Sequence, residues 1–158
     1  MPPVCTLRHV LSSKTKYGLK ALLTLAREHG SGPISVATLA ARNEIPKKFL
    51  EAILLELNRH DIVGSKKGKT GGYFLRRPPE EITFGQAIRV LEGPLAAVPC
   101  VSRTAYRRCD ECPDEAICGV RLAMKRVRDA TAEILDHTTL AAVNADLRRN
   151  PRRRRSKA

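Results

Sequence analysis

Residues 34–75 read ISVATLAARNEIPKKFLEAILLELNRHDIVGSKKGKTGGYFL, and this stretch decides the fold. Ser35 opens a short helical run, Ser-Val-Ala-Thr-Leu-Ala-Ala-Arg, that ends around Asn43. Ile45-Pro46 breaks it. Phe49, Ile53, Leu54 and Leu57 then recur at helical spacing, the apolar face of a second helix reaching about His60. Two helices joined by a three- or four-residue turn have the layout of a helix-turn-helix. Ile62-Val63 and Tyr73-Phe74-Leu75 follow as short strand-like runs, and Gly68, Gly71 and Gly72 between them permit the positive φ of a hairpin. Lys66, Lys67 and Lys69 are expected at its tip. A basic, glycine-rich hairpin directly after a helix-turn-helix reads as a wing. A nucleotide-phosphate loop is disfavoured, because the GxxxxGK[ST] order is absent and no helix starts after Gly72.

On the amino-terminal side, Tyr17, Leu19, Leu22, Leu23, Leu25 and Ala26 predict a helix up to about Glu28, with Ser12 or Ser13 as its cap. Lys14, Lys16 and Lys20 fall on the other face, where phosphate contact and a simply solvated face are both open readings. Residues 1–10 have no periodicity and read as a disordered extension, with Cys5 a bystander.

On the carboxy-terminal side, Pro78-Pro79 closes the hairpin. Thr83 caps a helix carrying Phe84, Ala87, Ile88 and Leu91, which stops at Gly93-Pro94. A long helix is expected from about Ile117 to near His137. Its narrow stripe of Val120, Val127 and Ile134, seven residues apart, with Ala123, Met124 and Ala130 between, suits pairing between two subunits. Leu140, Val143 and Leu147 continue as a short last helix. Residues 148–158 form an arginine-rich tail expected to add only sequence-blind affinity for DNA.

The chain has 158 residues, 42% hydrophobic and 28% charged, which is a globular composition with room for one ordinary core. Its net charge of +13 points to a polyanionic partner. Seven cations of the tail account for about half of that charge, so the body is basic as well. No stretch reaches the roughly 20 apolar residues of a membrane span, and the amino terminus lacks the apolar region of a signal peptide, so a cytoplasmic location without membrane partners is expected.

Between the two halves lies CVSRTAYRRCDECPDEAIC, residues 100–118, with four of the five cysteines spaced C-x8-C-x2-C-x5-C and no histidine. Thiols clustered in a reducing compartment point to metal or redox chemistry rather than disulfides. Three readings stay open. Cys100, Cys109, Cys112 and Cys118 can ligate an iron–sulfur cluster on a loop loosened by Pro113 and Gly119. They can hold zinc, although only Cys109-x2-Cys112 has the form of a zinc knuckle. Or they form a metal-free thiol switch. Catalysis is disfavoured: His9, His29, His60 and His137 are scattered, and no nucleophile has a neighbouring base. A DNA-binding module without sensing is the remaining alternative.

In this order the parts resemble the IscR/NsrR/CymR-type winged helix-turn-helix regulators of bacteria, the Rrf-two family. The matching stretches are Leu11-Ser-Ser-Lys-Thr-Lys-Tyr-Gly-Leu, Ile45-Pro-Lys-Lys-Phe-Leu-Glu, Lys67-Gly-Lys-Thr-Gly-Gly-Tyr-Phe-Leu, Ile88-Arg-Val-Leu-Glu-Gly-Pro and Asp136-His-Thr-Thr-Leu, spread over residues 11–143. The resemblance implies a homodimer on a pseudo-palindromic double-stranded operator, with an iron–sulfur cluster, 2Fe–2S or 4Fe–4S, in the sensing members and none in others. It places Cys100, Cys112 and Cys118 at the family's three cluster cysteines. Some members take a fourth ligand from a histidine where this chain has Arg121, others from an acidic residue where it has Lys16, so Cys109 is the natural fourth ligand here. It also assigns base reading to Glu51 and minor-groove entry to Lys67, with Lys47 and Lys48 beside them at the start of the recognition helix. Family members begin within a residue or two of the Leu11 motif, which makes Val10, read from a GTG codon, a candidate native start.

The expected architecture is therefore mainly α: a winged helix-turn-helix with a two-stranded wing, plus a long C-terminal dimerisation helix. The expected divisions are an extension (1–10), a DNA-binding domain (11–80), a connecting helix (81–99), a cysteine sensor loop (100–118), dimerisation and last helices (119–147) and a disordered basic tail (148–158).

Overall fold

The computed structural model describes residues 11–149. Six α-helices and one two-stranded antiparallel sheet make up its regular structure: α1 (Ser13–Arg27), α2 (Val36–Asn43), α3 (Lys47–Arg59), β1 (Val63–Lys66), β2 (Gly72–Leu75), α4 (Phe84–Leu91), α5 (Gly119–His137) and α6 (Leu140–Arg149), with a 3-10 turn at Pro99–Val101. The mainly α, winged architecture expected from the sequence is thus present. The expectations for residues 1–9, Cys5 and Val10, and for the tail beyond Arg149, lie outside the described residues.

The helix starts follow local chemistry. Ser12, Ser35 and Thr83 each stand in extended backbone and accept a hydrogen bond from an N–H of the first turn, satisfying a donor the helix leaves unpaired. Thr83 and Gln86 complete a reciprocal capping box. Glu44 ends α2 in the left-handed region at φ 55°, and Pro46 starts α3, giving the tight turn of the helix-turn-helix.

The core draws on α1 to α4, the hairpin and the start of α6. Leu22, Leu39, Leu50, Ile53, Leu54, Leu57, Val63, Ile82 and Leu140 are almost fully removed from solvent. Because Ile82, Ala87, Ile88 and Leu91 share this cluster with residues of α1 to α3, packing continues past Pro78-Pro79. Two backbone hydrogen bonds seat the end of α5 against the start of α4: Phe84 N–H donates to Thr138 O (2.8 Å) and Leu140 N–H to Ile82 O (2.9 Å). An Arg89–Asp136 ion pair adds to them, and Asn144 on α6 donates to Leu23 O of α1 at 3.0 Å.

In three places the structure differs from the sequence expectation. Lys66 is the last residue of β1, paired with Gly72, because the strand runs from Val63 rather than stopping there; only Lys67 and Lys69 lie in the connection. Of the three hairpin glycines only Gly68 has positive φ (112°). A Cβ at Gly71 would meet the Lys66 carbonyl, and one at Gly72 the backbone of Ile34, which bridges Tyr73 as an extra edge. Close backbone approach, not handedness, requires those two glycines. Finally, α5 starts at Gly119 with Cys118 as its cap, and α6 extends to Arg149, so Arg148 and Arg149 are helical rather than part of a tail.

Candidate nucleic-acid interface and cysteine centre

The outer face of α3 follows from its helical period. Leu50, Ile53, Leu54 and Leu57 fill the core, so Lys48, Ala52, Leu55 and Arg59 fall on the opposite side and are exposed. Glu51 flanks that ridge, half-exposed, with its Oε1 at 3.8 Å from Lys47 Nζ. Lys14 is drawn to Glu56 at 2.7 Å, whereas Lys16 on α1 is exposed. Lys66, Lys67 and Lys69 are exposed along the wing. Tyr17 and Phe49 pack edge to face with ring centroids 5.8 Å apart, fixing α1 against the first turn of α3. Lys14 and Glu51 are therefore already engaged with neighbours, while Lys16, Lys48 and the wing lysines have no ion-pair partner among the described residues.

A feature with no signal in the sequence joins α1 to α4. One carboxylate oxygen of Glu92 accepts hydrogen bonds from the Ser12 N–H (3.0 Å), the Ser12 hydroxyl (2.7 Å) and the buried Thr15 hydroxyl (2.5 Å). The Thr15 and Ser12 hydroxyls hold the Glu92 carboxyl below the usual carboxylate range. Glu92 directly precedes Gly93-Pro94, where the chain leaves α4 for the cysteine segment, so the segment's root is tied to the cap of the helix carrying Lys14 and Lys16. A partner 77 residues away leaves no local signature.

The four cysteines of residues 100–118 line one cavity of about 580 Å³ between the 3-10 turn and the amino end of α5. Apolar Val98, Pro99, Ile117 and Val120 share its wall with Arg108 and Arg121. Cys100 is buried, Cys112 and Cys118 are half-buried and Cys109 is exposed. Cys118 sits at the cap of α5, where its sulfur accepts the Arg121 N–H at 3.5 Å. That backbone donor holds the Cys118 thiol below its ordinary range, while burial and the neighbouring Cys118 push the Cys112 thiol up. Arg128, mostly buried, donates to Val101 O at 2.6 Å and so clamps the arm carrying Cys100 onto α5.

All donors in this cavity's cysteine set are soft thiols, which suits iron–sulfur chemistry or zinc. Zinc needs its donors about 2.3 Å from one point. Among the described residues no three Cys, His, Asp or Glu side chains converge in that way.

Beyond this centre, α5 contributes no buried residue. Ile117, Val120, Val127 and Ile134 are exposed at 80%, 64%, 49% and 66%, so the heptad stripe has no partner among the described residues of this chain. No helix among the described residues is long and apolar enough to cross a membrane.

Comparison with known proteins agrees with this layout. Residues 11–146 match the family described as Rrf2, iron-dependent transcriptional regulator. A Rhodobacter capsulatus protein whose name marks it as Rrf2-like is 39% identical over 134 residues, 83% of this chain and 89% of that one. Among solved structures, CymR, the global cysteine regulator of B. subtilis, superposes with a TM-score of 0.71 at 36% identity, covering 85% of this chain and 95% of the other. IscR of T. potens superposes with a TM-score of 0.68 at 30% identity, covering 86% of each. The chain belongs to the Rrf2 family of winged helix-turn-helix transcriptional regulators, DNA-binding proteins and not enzymes.

Proposed function

We propose that this protein acts as a cytoplasmic homodimer that binds a pseudo-palindromic operator and adjusts that binding through a cofactor held by Cys100, Cys109, Cys112 and Cys118. The observation that carries the reading is the placement of all four thiols around one cavity at the amino end of α5, the helix whose apolar stripe is unpaired. Resemblance to IscR and CymR supports it from outside the chain.

An iron–sulfur cluster supplies a centre that responds to oxidants, nitric oxide or iron supply. The chain's own residues carry its state to the DNA-facing helices. Cys118 caps α5 and Cys100 is clamped to the same helix by Arg128, so thiolate ligation at both positions fixes how the helix starts. Exposed Cys109, which lines the same cavity, would supply the fourth ligand, the role that Arg121 and Lys16 cannot fill. Through Arg89–Asp136 and the Glu92 contacts, the orientation of α5 reaches α4, α1 and the lysines that face DNA. Ligation thereby shifts the population of dimers whose wings and recognition helices match the half-site spacing. Lys16, Lys48, Lys66, Lys67 and Lys69 set affinity through phosphates, with Lys14 and Lys47 joining once DNA competes for their carboxylates. Glu51 accepts from a cytosine amine.

Anaerobic purification with absorption spectroscopy and iron, sulfide and zinc analysis tests the cofactor. A brown protein with iron and sulfide in equal amounts is expected. A colourless protein with stoichiometric zinc would replace the cluster by zinc, and a colourless, metal-free one whose cysteines oxidise in pairs would leave the thiol switch.

A further inference from the structure

The outward ridge of α3 is not the all-polar surface expected of a solvated helix. It runs Lys48, Ala52, Leu55, Arg59, at steps of four, three and four residues, directly opposite the buried face. Leu55 is 46% exposed, and Ala52 is exposed beside it. Leu55 lies outside the buried core cluster, and with Ala52 it puts an apolar step between Lys48 and Arg59 at the centre of the ridge. Cations at both ends of the ridge fit an anionic partner whose interior is apolar at that point. The major groove of DNA matches this: phosphates line its edges, and the thymine C5-methyl is the apolar group on its floor.

We infer that Ala52 and Leu55 form an apolar reading patch for thymine methyls, so that the operator carries thymine opposite this part of α3 in each half-site. The inference rests on the DNA-reading role proposed above and adds a base class that Glu51 does not supply. Glu51 reads a hydrogen-bond donor, while the Ala52–Leu55 patch reads a methyl group. Lys48 and Arg59, at the ends of the ridge, hold the backbone on either side and fix the register of the patch.

The test separates the two layers. The full-length protein is used to select duplexes from a randomised library, and each thymine of the selected half-site is then replaced singly by deoxyuridine, which removes only the methyl. At one or two positions per half-site the substitution is expected to weaken binding about fourfold, the effect of one buried methyl-sized group. Leu55→Ser, checked by melting for an intact fold, should abolish the thymine-over-uracil preference at one of those positions while leaving the salt dependence unchanged. Leu55→Ile should retain it. Equal binding of thymine and uracil at every position, or a preference that survives in Leu55→Ser, overturns the methyl-reading patch and leaves the DNA-reading role standing. Failure of the library to enrich any sequence overturns both.

Discussion

The stretch from α1 to β2 and the stretch from Cys100 to α5 are built on opposite terms. In the first, most large apolar side chains are consumed inside the chain: Leu22, Leu39, Leu50, Leu54 and Leu57 are fully buried, and of the large ones only Phe49, Leu55 and Phe74 stand exposed. In the second, α5 has no fully buried residue, Val120, Val127 and Ile134 of its stripe stand exposed, and four thiols line an open cavity. The DNA-reading half is finished as folded. In the function proposed here, the cysteine half is completed by what binds to it: a second copy on the stripe and a cofactor in the cavity. On the proposed reading, a signal at the cysteines reaches the DNA-facing helices by way of α4, which meets α5 at Arg89–Asp136 and the Phe84–Thr138 hydrogen bond and is tied through Glu92 to Ser12 and Thr15.

The stripe on α5 carries the largest expected effect. Val127→Asp with Ile134→Asp should convert the dimer to monomer in sedimentation, weaken operator binding by at least a hundredfold, and leave the thermal stability of the winged domain nearly intact. A variant that stays dimeric would place the subunit contact elsewhere. Leu54→Ala should act in the reverse sense, costing about 2–5 kcal/mol of stability through a cavity in the reader's core, which denaturant unfolding measures.

Smaller effects sharpen the division of labour at DNA. Glu51→Ala should relax base preference, at about 1–3 kcal/mol of lost discrimination, with non-specific binding and its salt slope nearly unchanged. Lys67→Ala should instead lower affinity for all sequences and reduce the salt slope by about one.

The smallest expected effect concerns the tie itself. The Glu92 carboxyl is held below its ordinary range, so its folded pKa is depressed. Its contribution is present above the unfolded pKa and is lost as pH falls through the folded value. Glu92→Gln should therefore lower stability modestly at neutral pH and narrow the gap to wild type under acid conditions, as read by melting at a series of pH values. The same variant should blunt any response of operator binding to the state of the cysteines.

What can be read from the sequence depends on the range of the interaction. Caps at Ser12, Ser35 and Thr83, the α2–α3 turn and the hairpin are set by neighbours a few residues apart, and they stand where the pattern puts them. The heptad spacing of Val120, Val127 and Ile134 is equally plain, and their exposure shows that this chain's described residues leave them unpaired. Gly71 and Gly72 are less legible, since a turn's need for positive φ is visible in sequence but the approach of the Ile34 backbone is not. Contacts such as Glu92 with Thr15, Asn144 with Leu23 and Arg128 with Val101 join residues 27 to 121 apart. Nothing local marks them, because they depend on where whole helices pack.

Operator affinity under controlled cofactor states tests most directly whether the cysteine half governs the reading half. Anaerobically prepared protein, the same protein stripped of cofactor, and the Cys100→Ala, Cys112→Ala and Cys118→Ala variants should be titrated against one operator. The account predicts that loaded and stripped wild type differ by at least tenfold, and that the three variants bind alike and no longer respond to oxidation. Identical binding by all of these proteins in every redox state would contradict it.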